Sequence, residues 1–221
     1  MQKRGLKNFN RFKSPVEPHC KVDDRSETDN PYRELIGSLL YLSSTCRPDI
    51  TYAVPFLSWF MHKPTKTHWN MAIRILKYLK GSVDHGLLYR RSSKVLIGYS
   101  DSEFACDLTD RKSTSGFIFI LNGAAISWQP RKQTIAAQST AEAEYVAMSF
   151  DIRETFLLKS LLCDRKVYRH FYEDQVSMKT ENMQVIDLSR DEIVSENSKH
   201  IDTKYQLVRD EVKKKTVDLS L

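Results

Sequence analysis

No two cysteines lie close together along this chain. The four cysteines, Cys20, Cys46, Cys106 and Cys163, form no C-x-x-C pair. That excludes the usual spacing of a thiolate metal site and points to reduced thiols in a cytosolic or nuclear protein. No hydrophobic run approaches the length of a membrane span, so no membrane partner is expected. Met1-Gln2-Lys3-Arg4-Gly5 is charged, but no apolar segment follows it, so secretion through a signal peptide is not expected either. Charge of one sign is also weak. Lys and Arg number 34 against 28 Asp and Glu, and the resulting +6 suits a polyanionic partner without demanding one.

What remains is an ordinary globular composition in 221 residues, enough for one sizeable core or one domain plus a smaller piece. Residues 1–28 are polar and lack apolar periodicity, so they read as a flexible leader. A helical pattern begins at Pro31, where Leu35, Ile36, Leu39, Leu40 and Leu42 crowd one side. Arg47-Pro48-Asp49 breaks it, because the residue before a proline is pushed out of the helical region. Ile50 to Met61 is apolar, and Pro55 either starts that helix or kinks it. Trp69, Ala72, Ile73, Leu76 and Leu79 then mark a helix with one buried face. Arg74, Lys77 and Lys80 share another face of it, either as a solvated row or as phosphate contacts.

From Gly86 the period shifts toward strands. Val95 to Tyr99 runs up to Asp101, and Asn122-Gly123 between two apolar arms is the strongest short hairpin signal there is. Ser139-x-x-Glu142 has capping-box spacing and opens a long, largely buried helix. One strand before Thr180, two helices near 182–188 and 199–213, and a strand from Val217 complete an α/β order with mixed pairing. Asp101 at the end of an apolar strand and Glu144 one turn into the next helix are the candidates for chemistry. Two carboxylates so placed can start a magnesium site, since magnesium takes oxygen ligands and is commonly held by one or two carboxylates plus substrate phosphates. Taken singly, either residue reads as a surface acid or an ordinary helix-start glutamate.

The ordered blocks carry a family resemblance. Tyr99-Ser100-Asp101-Ser102-Glu103-Phe104-Ala105-Cys106-Asp107, Asp110-Arg111-Lys112-Ser113-Thr114-Ser115-Gly116, Ile126-Ser127-Trp128, Ser139-Thr140-Ala141-Glu142-Ala143-Glu144-Tyr145 and Lys199-His200-Ile201-Asp202 resemble a copia-type retrotransposon ribonuclease H domain. Upstream, Tyr32 to Leu42, Arg47-Pro48-Asp49-Ile50 and Leu76 to Gly81 resemble the connection between polymerase and ribonuclease H regions of the same Pol polyprotein. The resemblance spans residues 31–221. No Y-x-D-D-like pair is present, so polymerase activity is not expected of this chain.

The resemblance implies a ribonuclease H-like mixed sheet with flanking helices over 94–221, incomplete at the C-terminus and preceded by a small helical connection over 29–90. It implies hydrolysis of RNA in an RNA–DNA hybrid at a site binding one or two Mg2+, with Mn2+ as a substitute. Asp101 and Glu144 match the first two acidic ligands, and Glu181 in Thr180-Glu181-Asn182 matches a position that is normally aspartate. A fourth acid would lie in a helix past Leu221. The longer Glu181 and the absent fourth acid imply weak or lost activity, since magnesium prefers near-ideal octahedral geometry. Phe104 and Cys106 stand where tryptophan and glycine are usual. Asp107, Asp110 and Asp202 match family positions and read as structural, while Arg111, Lys112, Arg131 and Lys132 are candidates for nucleic-acid contact. Two readings stay open: an RNA–DNA hybrid nuclease, and a non-catalytic remnant that binds nucleic acid or protein. Without its last helix, the apolar face near Val217 and Leu219 is expected to be exposed. Oligomeric state is not readable from the sequence.

Overall fold

The computed structural model of the chain describes residues 12–16, 26–90, 95–107, 110–164, 175–190 and 202–221. They fall into two units, Met1–Leu87 and Leu88–Leu221. In the first, α1 (Tyr32–Thr45) buries Tyr32, Ile36 and Leu39, an i, i+4, i+7 set. A short 3-10 turn (Pro48–Ile50) leads to α2 (Ala53–Ser58). Pro55 falls in the first turn of α2, where backbone N–H groups have no intrahelical partner to lose. That resolves the proline in favour of a helix start.

Helix α3 (Lys66–Gly81) is capped by Thr65, whose hydroxyl accepts from the His68 N–H while His68 Nδ1 accepts from the Thr65 N–H. Its buried face centres on His68, Ala72 and Ile75, with Trp69, Leu76 and Leu79 packed at the edge of the same core. In its basic row, the Arg74 guanidinium lies 4.4 Å and the Lys77 ammonium 5.7 Å from the Phe12 ring centre. The Arg47-Pro48-Asp49 block has a structural role. Arg47 pairs with Asp49 at 2.7 Å and donates to Ser82 Oγ at 2.7 Å, and the Tyr78 hydroxyl donates to the same carboxylate.

The second unit is the mixed α/β sheet that the sequence pattern implies. Its strands are β1 (Ile97–Glu103), β2 (Thr114–Leu121), β3 (Ala124–Lys132), β4 (Val176–Lys179) and β5 (Val217–Ser220). The order across the sheet is β3-β2-β1-β4-β5. Pairing is antiparallel from β1 through β3 and parallel from β1 through β5. The β2–β3 turn is Asn122-Gly123, both residues at positive φ (55° and 83°), as a two-residue hairpin of matching twist requires. The arms reach further than their apolar cores, because pairing continues through Thr114–Lys132.

Three helices, α4 (Thr140–Asp164), α5 (Met183–Arg190) and α6 (Asp202–Lys213), complete the unit. Core residues Leu96, Phe119, Tyr145, Met148, Ile152, Met178 and Val208 pack together. Gly98 is required by close approach: a Cβ there would meet Met178 Sδ at 2.3 Å and Phe119 Cε1 at 2.8 Å. Val217 and Leu219 belong to the same core at 0% and 2% exposure, which corrects the expectation of an exposed apolar face there. The parallel β4–β5 pairing and packing by α6 turn these alternate side chains inward and leave Asp218 outward.

Candidate active site

The apolar run before Asp101 ends where the sequence places it, but the strand does not. Asp101 lies inside β1, paired with Gly116 of β2, because β2 carries the hydrogen-bond ladder on to Glu103. Strand alternation buries Gly98 and Ser100 and exposes Tyr99 and Asp101. The Asp101 carboxylate accepts the Ser102 N–H at 2.7 Å.

Glu144 lies one turn into α4, whose start is fixed by Ser139 Oγ accepting the Glu142 N–H at 3.1 Å. The Glu142 carboxylate reaches back to the Gln138 N–H at 2.7 Å, one residue before the partner that the capping box implies. Glu181 is exposed on the turn that leaves β4. That turn is held by Thr180, whose N–H donates to the Ser220 carbonyl and whose hydroxyl accepts the Asn182 N–H. Asn182 then caps α5 by accepting the Gln184 N–H at 2.9 Å.

These elements bring Asp101 and Glu181 within electrostatic reach of Glu144. The Glu144 carboxyl is pushed up to about 7, first by burial and then by the negative charge of Asp101, with Glu181 adding a smaller push. Thr180 opposes the shift by donating to Glu144 Oε2 at 3.5 Å, the outer limit of such a bond. Thr180 was not singled out from sequence, although its place beside Glu181 at a strand end was the available signal. Among the described residues, no three acidic, histidine or cysteine side chains converge closely enough to hold a metal ion as they stand.

The four basic candidates divide. Lys132 pairs with both Asp107 and Asp110, the latter at 3.1 Å, and Lys112 lies 3.5 Å from Asp110. Asp107 and Asp110 are therefore structural, holding the β1–β2 loop against β3. Arg111 is exposed at a φ of 55° and its N–H donates to the Asp107 carbonyl. Arg131 is exposed at the end of β3, its guanidinium 4.6 Å from the Phe150 ring centre. Lys199, His200 and Ile201 lie outside the described residues, and Asp202 begins α6.

One buried acid had no sequence signal. Asp151, on α4, is 1% exposed, and among the described residues neither carboxyl oxygen has a hydrogen-bond partner. Burial pushes it well above the usual carboxylate range. Ser100 lies near enough to moderate that shift without completing a hydrogen bond, and Glu154 and Glu144 add to it. Among the described residues no helix is long and apolar enough to cross a membrane.

No family model matches the chain. It is 33% identical over 222 residues to the retrovirus-related Pol polyprotein of transposon TNT 1-94 from Nicotiana tabacum, covering 96% of this chain and 16% of that protein. It is 36% identical over 204 residues to the Pol polyprotein of transposon RE2 from Arabidopsis thaliana, covering 90% of this chain and 14% of that protein. The chain thus spans about a sixth of the length of these polyproteins. A shorter relative, secreted RxLR effector protein 161 of Plasmopara viticola, is 41% identical over 129 residues, which are 58% of this chain and 91% of that one. Among solved structures, a ribonuclease H1 isolated from compost aligns over 58% of this chain and 84% of its own, at 13% identity and a TM-score of 0.41. A likeness at that score has no bearing on activity.

Proposed function

We propose, for a chain that belongs to the retrovirus-related transposon Pol family, that its second unit is a ribonuclease H-like module that hydrolyses the RNA strand of an RNA–DNA hybrid. The observation that carries this reading is the Glu144 carboxyl, raised to about 7 by burial and by the charges of Asp101 and Glu181. A carboxyl raised in this way by burial and neighbouring negative charge favours a divalent cation beside it, and hard carboxylate oxygens are the donors magnesium prefers. Asp101, Glu144 and Glu181 would hold it. A bound magnesium supplies positive charge to the phosphate oxygens and lowers the pKa of a coordinated water. Thr180 orients Glu144, the Ser102 N–H orients Asp101, and the β4–α5 turn presents Glu181 to solvent. Arg111 and Arg131 are placed to anchor backbone phosphates without reading sequence.

A second reading is favoured by one observation: Asp101 and Glu181 lie within reach of the Glu144 charge, but the three carboxylates do not converge as a metal-binding group. On that reading the unit binds nucleic acid without cutting it. Incubating the purified chain with a labelled RNA–DNA hybrid, in magnesium and in excess EDTA, decides between them. Slow cleavage of the RNA strand in magnesium alone is the expected result, since Glu181 reaches one methylene further than the aspartate that the resemblance puts at its position. An intact hybrid with a cooperatively folded sample would overturn the nuclease reading.

A further inference from the structure

Three cations from three elements of the second unit converge on one aromatic ring. The guanidinium of Arg131 at the end of β3 lies 4.6 Å from the Phe150 ring centre, the ammonium of Lys204 in α6 5.2 Å, and the guanidinium of Arg153 in α4 5.9 Å. The three charges therefore sit no more than about twice the longest of these distances apart, comparable to the ~8–10 Å Debye length at physiological salt. No ion pair joins any of them to a carboxylate among the described residues.

The repulsion registers on the chain itself. The Lys204 ammonium is depressed by burial, then by Arg153 and by Arg131, and only Glu142 pulls the other way. A phenyl face attracts a cation by ~0.5–1 kcal/mol at exposed sites, and one ring offers too little to account for gathering three. Arg131 and Arg153 are exposed, so the cluster is open to a ligand.

We infer that Arg131, Arg153 and Lys204 around Phe150 form a binding site for a backbone phosphate of a nucleic-acid strand. Guanidinium groups match phosphate with paired N–H donors, and the lysine adds a point charge. Phe150 lies six residues beyond Glu144 on α4, roughly 9 Å along the helix axis. Arg153 and Lys204 were not singled out from sequence, because α4 and α6 are far apart in the chain and only the fold brings them together. The inference rests on the proposed function for the identity of the polymer, but not on cleavage.

The test is binding, measured by fluorescence anisotropy of a labelled RNA–DNA hybrid in EDTA, where nothing is cut. The double variant Arg153→Gln, Lys204→Met is expected to weaken binding about tenfold near 0.1 M salt and to lower the slope of log K against log salt by about 2. Lys204→Met alone, which removes a desolvated charge from a repulsive cluster and leaves the fold intact, is expected to lower the slope by about 1. Lys214→Gln, whose partner is Glu211 elsewhere in the unit, is expected to change neither quantity. Unchanged affinity and slope in a double variant that melts like the parent would overturn the site. An equal loss in Lys214→Gln would also overturn it, since that reports net charge and not a place. A parent chain that binds the hybrid with these losses but never cleaves it refutes the nuclease reading and supports the phosphate site.

Discussion

Glu144→Gln is expected to lower magnesium-dependent cleavage of an RNA–DNA hybrid by at least about a hundredfold, the order of loss that follows when a reacting group is displaced by an ångström. Its pH dependence follows from the geometry. Burial and the neighbouring charges of Asp101 and Glu181 raise the Glu144 carboxyl to about 7, so in the metal-free protein it is half protonated near neutrality. Only the ionised form binds a cation well, so cleavage rises with pH through that region and falls away below it. Asp101→Asn abolishes cleavage to the same degree. It also removes the second-largest cause of the shift, so the Glu144 carboxyl moves back toward the ordinary range, an effect read by carboxyl carbon resonances whether or not the protein is active. Cleavage that is flat from pH 6 to 8, or a Glu144 resonance indifferent to Asp101→Asn, would contradict the arrangement.

Asp151→Ala is expected to raise the melting temperature of the second unit by several degrees at pH 8. The wild-type carboxyl is buried with neither oxygen hydrogen-bonded, a state that costs about 1–3 kcal/mol for a polar group and more for a charged one. Its folded pKa is raised well above the unfolded value of about 3.9. Stability from this group is therefore fully present below about pH 4 and is lost as pH rises from there toward the folded pKa. Glu144 contributes in the same direction up to about 7. The alanine variant keeps the Glu144 part and loses the Asp151 part, so its stability falls less steeply with pH. A lower melting temperature at pH 8, or a pH slope identical to wild type, would show that Asp151 is satisfied by something other than protonation.

Glu144 and Asp151 differ in how far the sequence revealed them. Asp101 and Glu144 were readable because each sits at a local landmark, one after an apolar run and the other after a capping serine. The hairpin at Asn122-Gly123 was readable for the same reason, since positive φ at both positions has few sequence solutions. Strand length was not. Asp101 sits inside β1 because β2 supplies partners as far as Thr114, a non-local fact invisible to hydrophobic pattern. Val217 and Leu219 read as an exposed face because the resemblance puts a further helix over them, whereas parallel pairing with β4 and packing by α6 already turn them into the core. Asp151 escaped notice because a lone aspartate, even in a long and largely buried helix, is expected at a water-facing position, and only the packing of α4 on β1 beside Ser100 shows otherwise. Lys112 and Lys132 looked like free cations until the fold set them against Asp107 and Asp110.

We propose that Asp101, Glu144 and Glu181 together bind a divalent cation. A magnesium titration at pH 8, followed by the carboxyl carbon resonances of the labelled chain, tests it most directly. These three signals are expected to move together and saturate at one concentration, and none of them is expected to respond in Asp101→Asn. Signals that stay put, or that drift independently without saturating, would contradict it.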